Sequence, residues 1–259
     1  MDKSELVLQL KKLLSLEYNC HPDDFGKKEN VITMAKDIPG RRIYSEQKEF
    51  FSMVTLGRNA VITADEQIYP WLEKWCADKE GIWLFEHGHL MELEAELQKY
   101  GKTLQQSHHM FLPKTDVTEP KSDFTVKWFE QEEIAALYGR AEFSNALCDR
   151  FKPERPDVLA VAAMQGEEII GLAGCSADTK LFWQIGIDVL PEYRGRGIGT
   201  KLVQLSKNEV FRRGAIPFYG TSLSNLYSWN IALNCGFYPA WVEIATAENR
   251  DFHFGENGV

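Results

Sequence analysis

The chain has 259 residues, of which 44% are hydrophobic and 26% charged, so it can bury a sizeable core and is unlike a disordered protein. Its net charge of −9 argues against nucleic acid as a partner, and no apolar run approaches the roughly 20 residues that span a bilayer. The acidic start, residues 1–5, is unlike a secretory signal. Five scattered cysteines without a C-x-x-C pair indicate reduced thiols, so we expect a cytoplasmic protein without disulfides or a metal site.

The first 115 residues predict a smaller α+β domain, to which no motif assigns a role. Leucines at helical spacing indicate a helix over residues 4–16. Residues 50–63 predict a hairpin that turns at Gly57-Arg58-Asn59. Helices are expected near 66–78 and 87–100, the second ending before Gly101, and a strand is expected at 104–112.

Residues 113–123 are polar, with a proline near each end, and predict a boundary between a domain of residues 1–115 and a domain of residues 120–259. The second domain alternates strands and helices, which indicates an α+β fold with a mixed α/β sheet. Its expected strands are 124–130, 157–165, 168–177, 181–189, 215–221 and 237–254. Its expected helical segments are 131–150, 197–213 and 225–235.

The strand at 181–189 leads into a glycine-rich turn. Every odd position of this strand is apolar, and its polar face carries Gln184 and Asp188 on either side of Gly186. The turn, Arg194-Gly195-Arg196-Gly197-Ile198-Gly199, precedes a helix, whose free N–H groups favour an anion. We therefore expect a pyrophosphate site here. The lysine is misplaced for a P-loop, and G-x-G-x-G late in the chain is a poor dinucleotide fingerprint.

Residues 189–199 resemble the acetyl-CoA-binding motif of the GNAT acyltransferase superfamily, whose core is Gln/Arg-x-x-Gly-x-Gly/Ala. Arg194, Gly197 and Gly199 fill its fixed positions. The resemblance implies that acetyl-CoA binds to the backbone of Val189 and to the following turn and helix start, namely Arg194, Gly195, Arg196, Gly197, Ile198, Gly199 and Thr200. The alternative is an ordinary glycine-rich turn with solvated arginines.

A second motif, Asn225-x-x-Ser228 with Gly236-Phe237 at the end of the same helix, is similar to the version in ribosomal-protein N-terminal acetyltransferases. This resemblance implies that Asn225 and Ser228 contact the cofactor. Many members carry a tyrosine, the acid that protonates the CoA thiolate, where this chain has Ala232. Ser228 is therefore the candidate acid, and the alternative is a helix cap.

Asp188 is the candidate base that removes a proton from the amine, because it is the only acid on the polar face of its strand. Some aminoglycoside acetyltransferases have a similar Gly-Ile-Asp. The alternative is an Asp that is solvated or paired with an arginine. Histidines at 87, 89, 108 and 109 are not accompanied by other ligands at metal spacing, so we expect them to be polar surface residues.

The resemblance implies an N-acetyltransferase that moves an acetyl group from acetyl-CoA to a primary amine by direct attack in a ternary complex. The expected partner is an amine acceptor, either a small molecule or a peptide or protein, and not nucleic acid or a membrane. A homodimer is left open. The alternative function is a non-catalytic acyl-CoA-binding sensor or partner-binding module.

Overall fold

The computed structural model describes residues 1–44, 49–115 and 124–248. The α-helices are α1 (Lys3–Glu17), α2 (Tyr69–Cys76), α3 (His87–Leu97), α4 (Gln131–Ile134), α5 (Ile198–Arg212) and α6 (Leu226–Asn234). The strands are β1 (Val31–Met34), β2 (Phe51–Thr55), β3 (Ala60–Ala64), β4 (Lys102–Leu104), β5 (His108–Pro113), β6 (Thr125–Glu130), β7 (Asp157–Gln165), β8 (Glu168–Ala177), β9 (Phe182–Val189), β10 (Ile216–Ser222) and β11 (Phe237–Glu248). In these three ranges, no helix combines the length and apolar character that a membrane span requires.

The described residues divide into two compact units. The C-terminal unit contains residues 1–6, 42–44, 110–115 and 124–240. The N-terminal unit contains residues 7–41, 49–109 and 241–248. This division differs from the predicted boundary, because residues 241–248 group with the N-terminal residues. Residues 116–123, most of the predicted linker, lie outside the described part of the chain.

The sheet of the C-terminal unit runs in the order β5-β10-β9-β8-β7-β6. Strands β6 to β9 are antiparallel neighbours, whereas β9 and β10 are parallel. This is the mixed sheet that the strand and helix pattern predicted. Helix α5 packs its apolar stripe against the sheet, and its buried side chains include Ile198, Leu202 and Val203. The segment after β6 packs Ile134, Phe143 and other buried side chains into a separate cluster with β7 and β8.

The strands of the N-terminal unit follow the order β1-β3-β2-β11, with β4 paired to β11. The hairpin predicted at 50–63 is confirmed, because β2 and β3 pair antiparallel from Phe51–Ala64 to Thr55–Ala60. Both strands are buried throughout, and helices α2 and α3 cover them with Leu72, Leu93 and Leu97. The unit therefore has a core of its own.

Several predicted elements differ from the structure. The helical segment at 131–150 is reduced to α4 and two 3₁₀ turns, since Tyr138 is extended and ends the first of them. The expected strand at 104–112 is two strands, β4 and β5, and β1 was not predicted. The last strand ends at Glu248, and residues 249–254 of its predicted range lie outside the described chain.

Candidate functional site

The turn between β9 and α5 is built around two glycines with left-handed backbones. We call residues 194–200 the cradle turn. Gly195 has φ of 77° and Gly197 has φ of 76°, a conformation that side chains with a Cβ adopt at a cost. A Cβ at either position would meet no atom within 4 Å, so both glycines border open space. Their lack of a side chain leaves the backbone accessible to a ligand.

Helix α5 begins in the cradle turn without a side-chain cap. Gly197 occupies the N-cap position and has no side chain that could accept a hydrogen bond from the first turn. The helix is 15 residues long, so its first N–H groups and its dipole favour a negative charge at this end. Ile198 is buried in the core, which fixes the helix end against the sheet.

Gly199 serves a different purpose from the other two glycines of the cradle turn. A Cβ at this position would lie 3.2 Å from Ile231 Cδ1 and 3.5 Å from Val189 Cγ2. The residue is buried, so its small size allows α5 to approach both α6 and β9. Thr200, the next residue, is half-exposed, and its carbonyl accepts the Cys235 thiol at 3.1 Å. Cofactor binding by Gly199 and Thr200 stays a prediction, and it would involve their backbone groups.

The two arginines of the cradle turn are exposed and bind backbone carbonyls of the residues just before it. Arg194 Nε donates to the carbonyl of Val189 at 3.0 Å, and Arg196 donates to the carbonyl of Glu192 at 3.1 Å. The Arg196 guanidinium also lies over the Tyr193 ring, 5.2 Å from its centroid. These contacts hold two positive charges beside the start of α5, where they add to the attraction for an anion.

Strands β9 and β10 are paired for only part of their length. Their parallel register runs from Phe182–Ile216 to Ile185–Tyr219, although β9 continues to Val189 and β10 to Ser222. Within these two fully described strands, the pairing stops at Ile185 and Tyr219. Beyond that point β9 pairs with no further residue of β10, and next to the cradle turn the Val189 carbonyl accepts a hydrogen bond from Arg194.

Asp188, the candidate base, holds the loop that follows the 3₁₀ turn Ala141–Phe143. Its carboxylate accepts hydrogen bonds from Asn145 N and Asn145 Nδ2, both at 2.7 Å, and from Ala146 N at 2.9 Å. Burial raises the pKa of Asp188 above its ordinary value, and the three N–H donors oppose that rise. The positive charge of Arg194 also opposes the rise. The carboxylate is therefore held by the loop rather than simply solvated, and its role as a base stays a prediction.

The same loop lies directly on two glycines of the sheet. Gly174 and Gly186 face each other across β8 and β9. A Cβ on Gly186 would lie 1.9 Å from the carbonyl oxygen of Asn145, and a Cβ on Gly174 would lie 2.1 Å from that of Ala146. We call this glycine pair the sheet floor. It brings the loop close enough to the sheet for the Asp188 carboxylate to reach its N–H groups.

Ser228 lies in the first turn of α6, where Asn225 caps the helix. The Asn225 side chain accepts a hydrogen bond from Ser228 N at 3.1 Å. Ser228 is half-exposed, and its hydroxyl lies 2.7 Å from the hydroxyl of Tyr219. Ala232 is fully buried and has no hydroxyl. Tyr227 has one, but its side chain is 89% exposed. Neither residue therefore provides a tyrosine hydroxyl beside Ser228.

Two contributions to the site were not found from the sequence. Tyr219 is the last residue of β10 that pairs with β9, and its hydroxyl contacts Ser228. Its position in a buried strand made it look like core packing. Gly174 shares the sheet floor with Gly186, but this contact depends on a loop nearly 30 positions away. The only available signal was the alignment of two glycines on neighbouring predicted strands.

Other reactive side chains do not form a second centre in the described ranges. No group of three or more His, Cys, Asp or Glu residues there could hold a metal ion. Cys235 is buried, and burial raises the pKa of its thiol to about 12. The thiol therefore stays protonated at neutral pH, as expected for a packing residue.

Comparison with known proteins finds similarity in the C-terminal part of the chain. Residues 118–237 match the model of the acetyltransferase (GNAT) family. A GCN5-related N-acetyltransferase-like protein from Streptococcus suis is 15% identical, with a TM-score of 0.44 over 61% of this chain and 67% of that chain. A GCN5-related N-acetyltransferase from Kribbella flavida is 16% identical, with a TM-score of 0.44 over 60% of this chain and 63% of that chain.

A Salmonella typhimurium protein solved with its cofactor acetyl-CoA is 15% identical, with a TM-score of 0.36. The match covers 53% of this chain and 100% of that protein. Other matched structures are longer, and this chain covers less than two thirds of the length of the one from Kribbella flavida. A search of curated proteins gave no match.

Proposed function

We propose that this chain, whose residues 118–237 belong to the acetyltransferase (GNAT) family, transfers an acetyl group from acetyl-CoA to a primary amine. The observation that carries the proposal is the cradle turn at the uncapped start of α5, beside the unpaired end of β9. A pyrophosphate needs N–H donors, positive charge and room for close approach, and this place offers all three. The whole protein's activity and its acceptor are part of the proposal.

The residues of the cradle turn fit a pyrophosphate in three respects. Gly195 and Gly197 leave open space beside their backbones, which a ligand can fill. The N-cap residue Gly197 supplies no side-chain acceptor to the first N–H groups of α5, and Arg194 and Arg196 add positive charge. Beyond Ile185, β9 pairs with no residue of β10, so its backbone near Val189 would bind the extended arm of the cofactor, as the family resemblance implies. The Val189 carbonyl itself accepts from Arg194.

The reaction we propose is direct attack of the amine on the thioester carbonyl. The carbon–sulfur bond breaks, its electron pair goes to sulfur, and the amine loses a proton. Ser228 donates a hydrogen bond from its hydroxyl to the sulfur as negative charge develops there. Asp188 is kept as the candidate base, acting directly or by holding the loop at Asn145 and Ala146 beside the acceptor.

An amine panel tests this function. Thiol release from acetyl-CoA would be followed with polyamines, free amino acids, and peptides with either a free N-terminus or an internal lysine. We expect at least one class to raise thiol release above the rate without amine, and Gly197→Trp to remove that increase. Tight acetyl-CoA binding with no amine-dependent release from any class would instead favour the non-catalytic sensor.

A further inference from the structure

The hydroxyl groups of Tyr219 and Ser228 contact each other at the place where β9 and β10 stop pairing. They lie 2.7 Å apart, a short and favourable distance for an O–H···O hydrogen bond. Tyr219 is 2% exposed, whereas Ser228 is half-exposed in the first turn of α6. The pair therefore connects the protein interior to the surface of the candidate site.

The direction of this hydrogen bond follows from burial. A buried hydroxyl hydrogen without an acceptor is costly. In the described part of the chain, the Ser228 oxygen lies within hydrogen-bonding distance of the Tyr219 hydroxyl and can accept its hydrogen. Ser228, being half-exposed, can direct its own hydrogen outward. The arrangement that satisfies both groups has Tyr219 as donor and Ser228 as acceptor.

The Tyr219 ring is held in place, so this direction is maintained. Its centroid lies 6.4 Å from that of Phe111 and 6.1 Å from that of Phe237. Burial raises the pKa of Tyr219 to about 12, and Asp188 on β9 and Cys235 after α6 act in the same direction. The phenol stays protonated at neutral pH and remains a hydrogen-bond donor.

We propose that Tyr219 is a positioning residue that donates to Ser228 Oγ and thereby points the Ser228 hydrogen at the sulfur of bound CoA. This inference rests on the proposed function. It also explains why this chain can have an alanine at position 232. Tyr219 on β10 supplies the second hydroxyl of the site, so a tyrosine on α6 is not needed. Tyr219 and Ser228 both keep their protons, so Ser228 stabilises the thiolate by a hydrogen bond instead of protonating it. The amine loses its proton to Asp188, the candidate base, and the thiolate is protonated after it leaves.

The test is the pKa of the CoA thiol in the complex, measured from the ultraviolet absorbance of the thiolate, with no acceptor needed. A hydrogen bond to the thiolate stabilises the charged form and so lowers the pKa of the thiol. We therefore expect the bound thiol to have a lower pKa than free CoA in the wild type, and Tyr219→Phe to raise it by about one unit. Tyr238→Phe, which removes a hydroxyl elsewhere in the C-terminal unit, should leave it unchanged.

Ser228→Ala should raise the thiol pKa as well, and adding Tyr219→Phe to it should produce no further rise, because both act through one hydroxyl. An unchanged thiol pKa in Tyr219→Phe, with CoA bound and the fold intact, overturns the inference but leaves the proposed function standing. Should Tyr219→Phe not fold, an unchanged thiol pKa in Ser228→Ala overturns it equally. Failure of the wild type to bind CoA in calorimetry removes both proposals.

Discussion

The cradle turn and the sheet floor both depend on glycine, but for opposite reasons. In the cradle turn, Gly195 and Gly197 have left-handed backbones and open space where a side chain would lie. On the sheet floor, Gly174 and Gly186 have ordinary strand backbones, and a Cβ would collide with the loop above them. One pair keeps the chain open to a ligand from outside, and the other allows the protein to pack against itself. Substitutions should therefore affect binding at the first place and stability at the second.

The largest expected effect on stability is that of Gly186→Ala. Its Cβ would lie 1.9 Å from the Asn145 carbonyl oxygen, so the loop must move. Overpacking of this kind costs up to about 3 kcal/mol. Thermal or urea unfolding measures this change. The matched control is Gly88→Ala, whose Cβ meets nothing within 4 Å and whose φ is not positive. If the two variants were equally stable, the sheet floor would not require glycine for packing.

Removal of the Asp188 carboxylate should have the next largest effect. In Asp188→Ala, the N–H groups of Asn145 and Ala146 lose their acceptor, which costs about 1–3 kcal/mol of unfolding free energy. Asp188→Asn keeps one carbonyl oxygen and should cost less. Chemical unfolding of both variants distinguishes these values. If Asp188→Ala were as stable as the wild type, the carboxylate would not hold the loop.

Gly197→Ala should lower stability by about 1 kcal/mol, because its φ of 76° is unfavourable for alanine. Its methyl group would also project into the open space of the cradle turn, so acetyl-CoA affinity should fall. Gly199→Ala has ordinary φ and should weaken the packing against Ile231 with a smaller effect on affinity. Parallel unfolding and binding measurements would separate the two. Equal losses of affinity would mean that both glycines face the ligand.

The smallest expected effect is the dependence of stability on pH through Asp188. In the folded protein the pKa of Asp188 is raised above its ordinary value of 3.8. At pH values between 3.8 and the native pKa, the native state therefore binds more protons than the unfolded chain. The contribution of this group to stability is fully present below 3.8 and is lost as pH rises through the native pKa. The unfolding free energy of Asp188→Asn, relative to wild type, should therefore rise as the pH increases from below 3.8 through the native pKa of Asp188. A flat difference would contradict the raised pKa.

The parts of the site that could be predicted from the sequence are those encoded by neighbouring residues. The period-two pattern predicted β9, and the spacing of Gly195 and Gly197 before apolar residues predicted the start of α5. The sheet floor and the Tyr219–Ser228 pair join positions that only the folded chain brings together. The helical segment expected at 131–150 was wrong for the same reason, because its apolar residues pack as short turns against β7 and β8.

The most direct test of the proposed site is a calorimetric titration of acetyl-CoA into the wild type, Gly197→Trp and Gly57→Trp. Gly57 is the control, since it also has positive φ and open space, but it lies in the hairpin of the N-terminal unit. We predict one site per chain in the wild type and in Gly57→Trp, and an affinity lower by about 100-fold or more in Gly197→Trp. Equal binding by all three proteins would contradict the cradle turn as the cofactor site, and no binding by the wild type would contradict the proposed function itself.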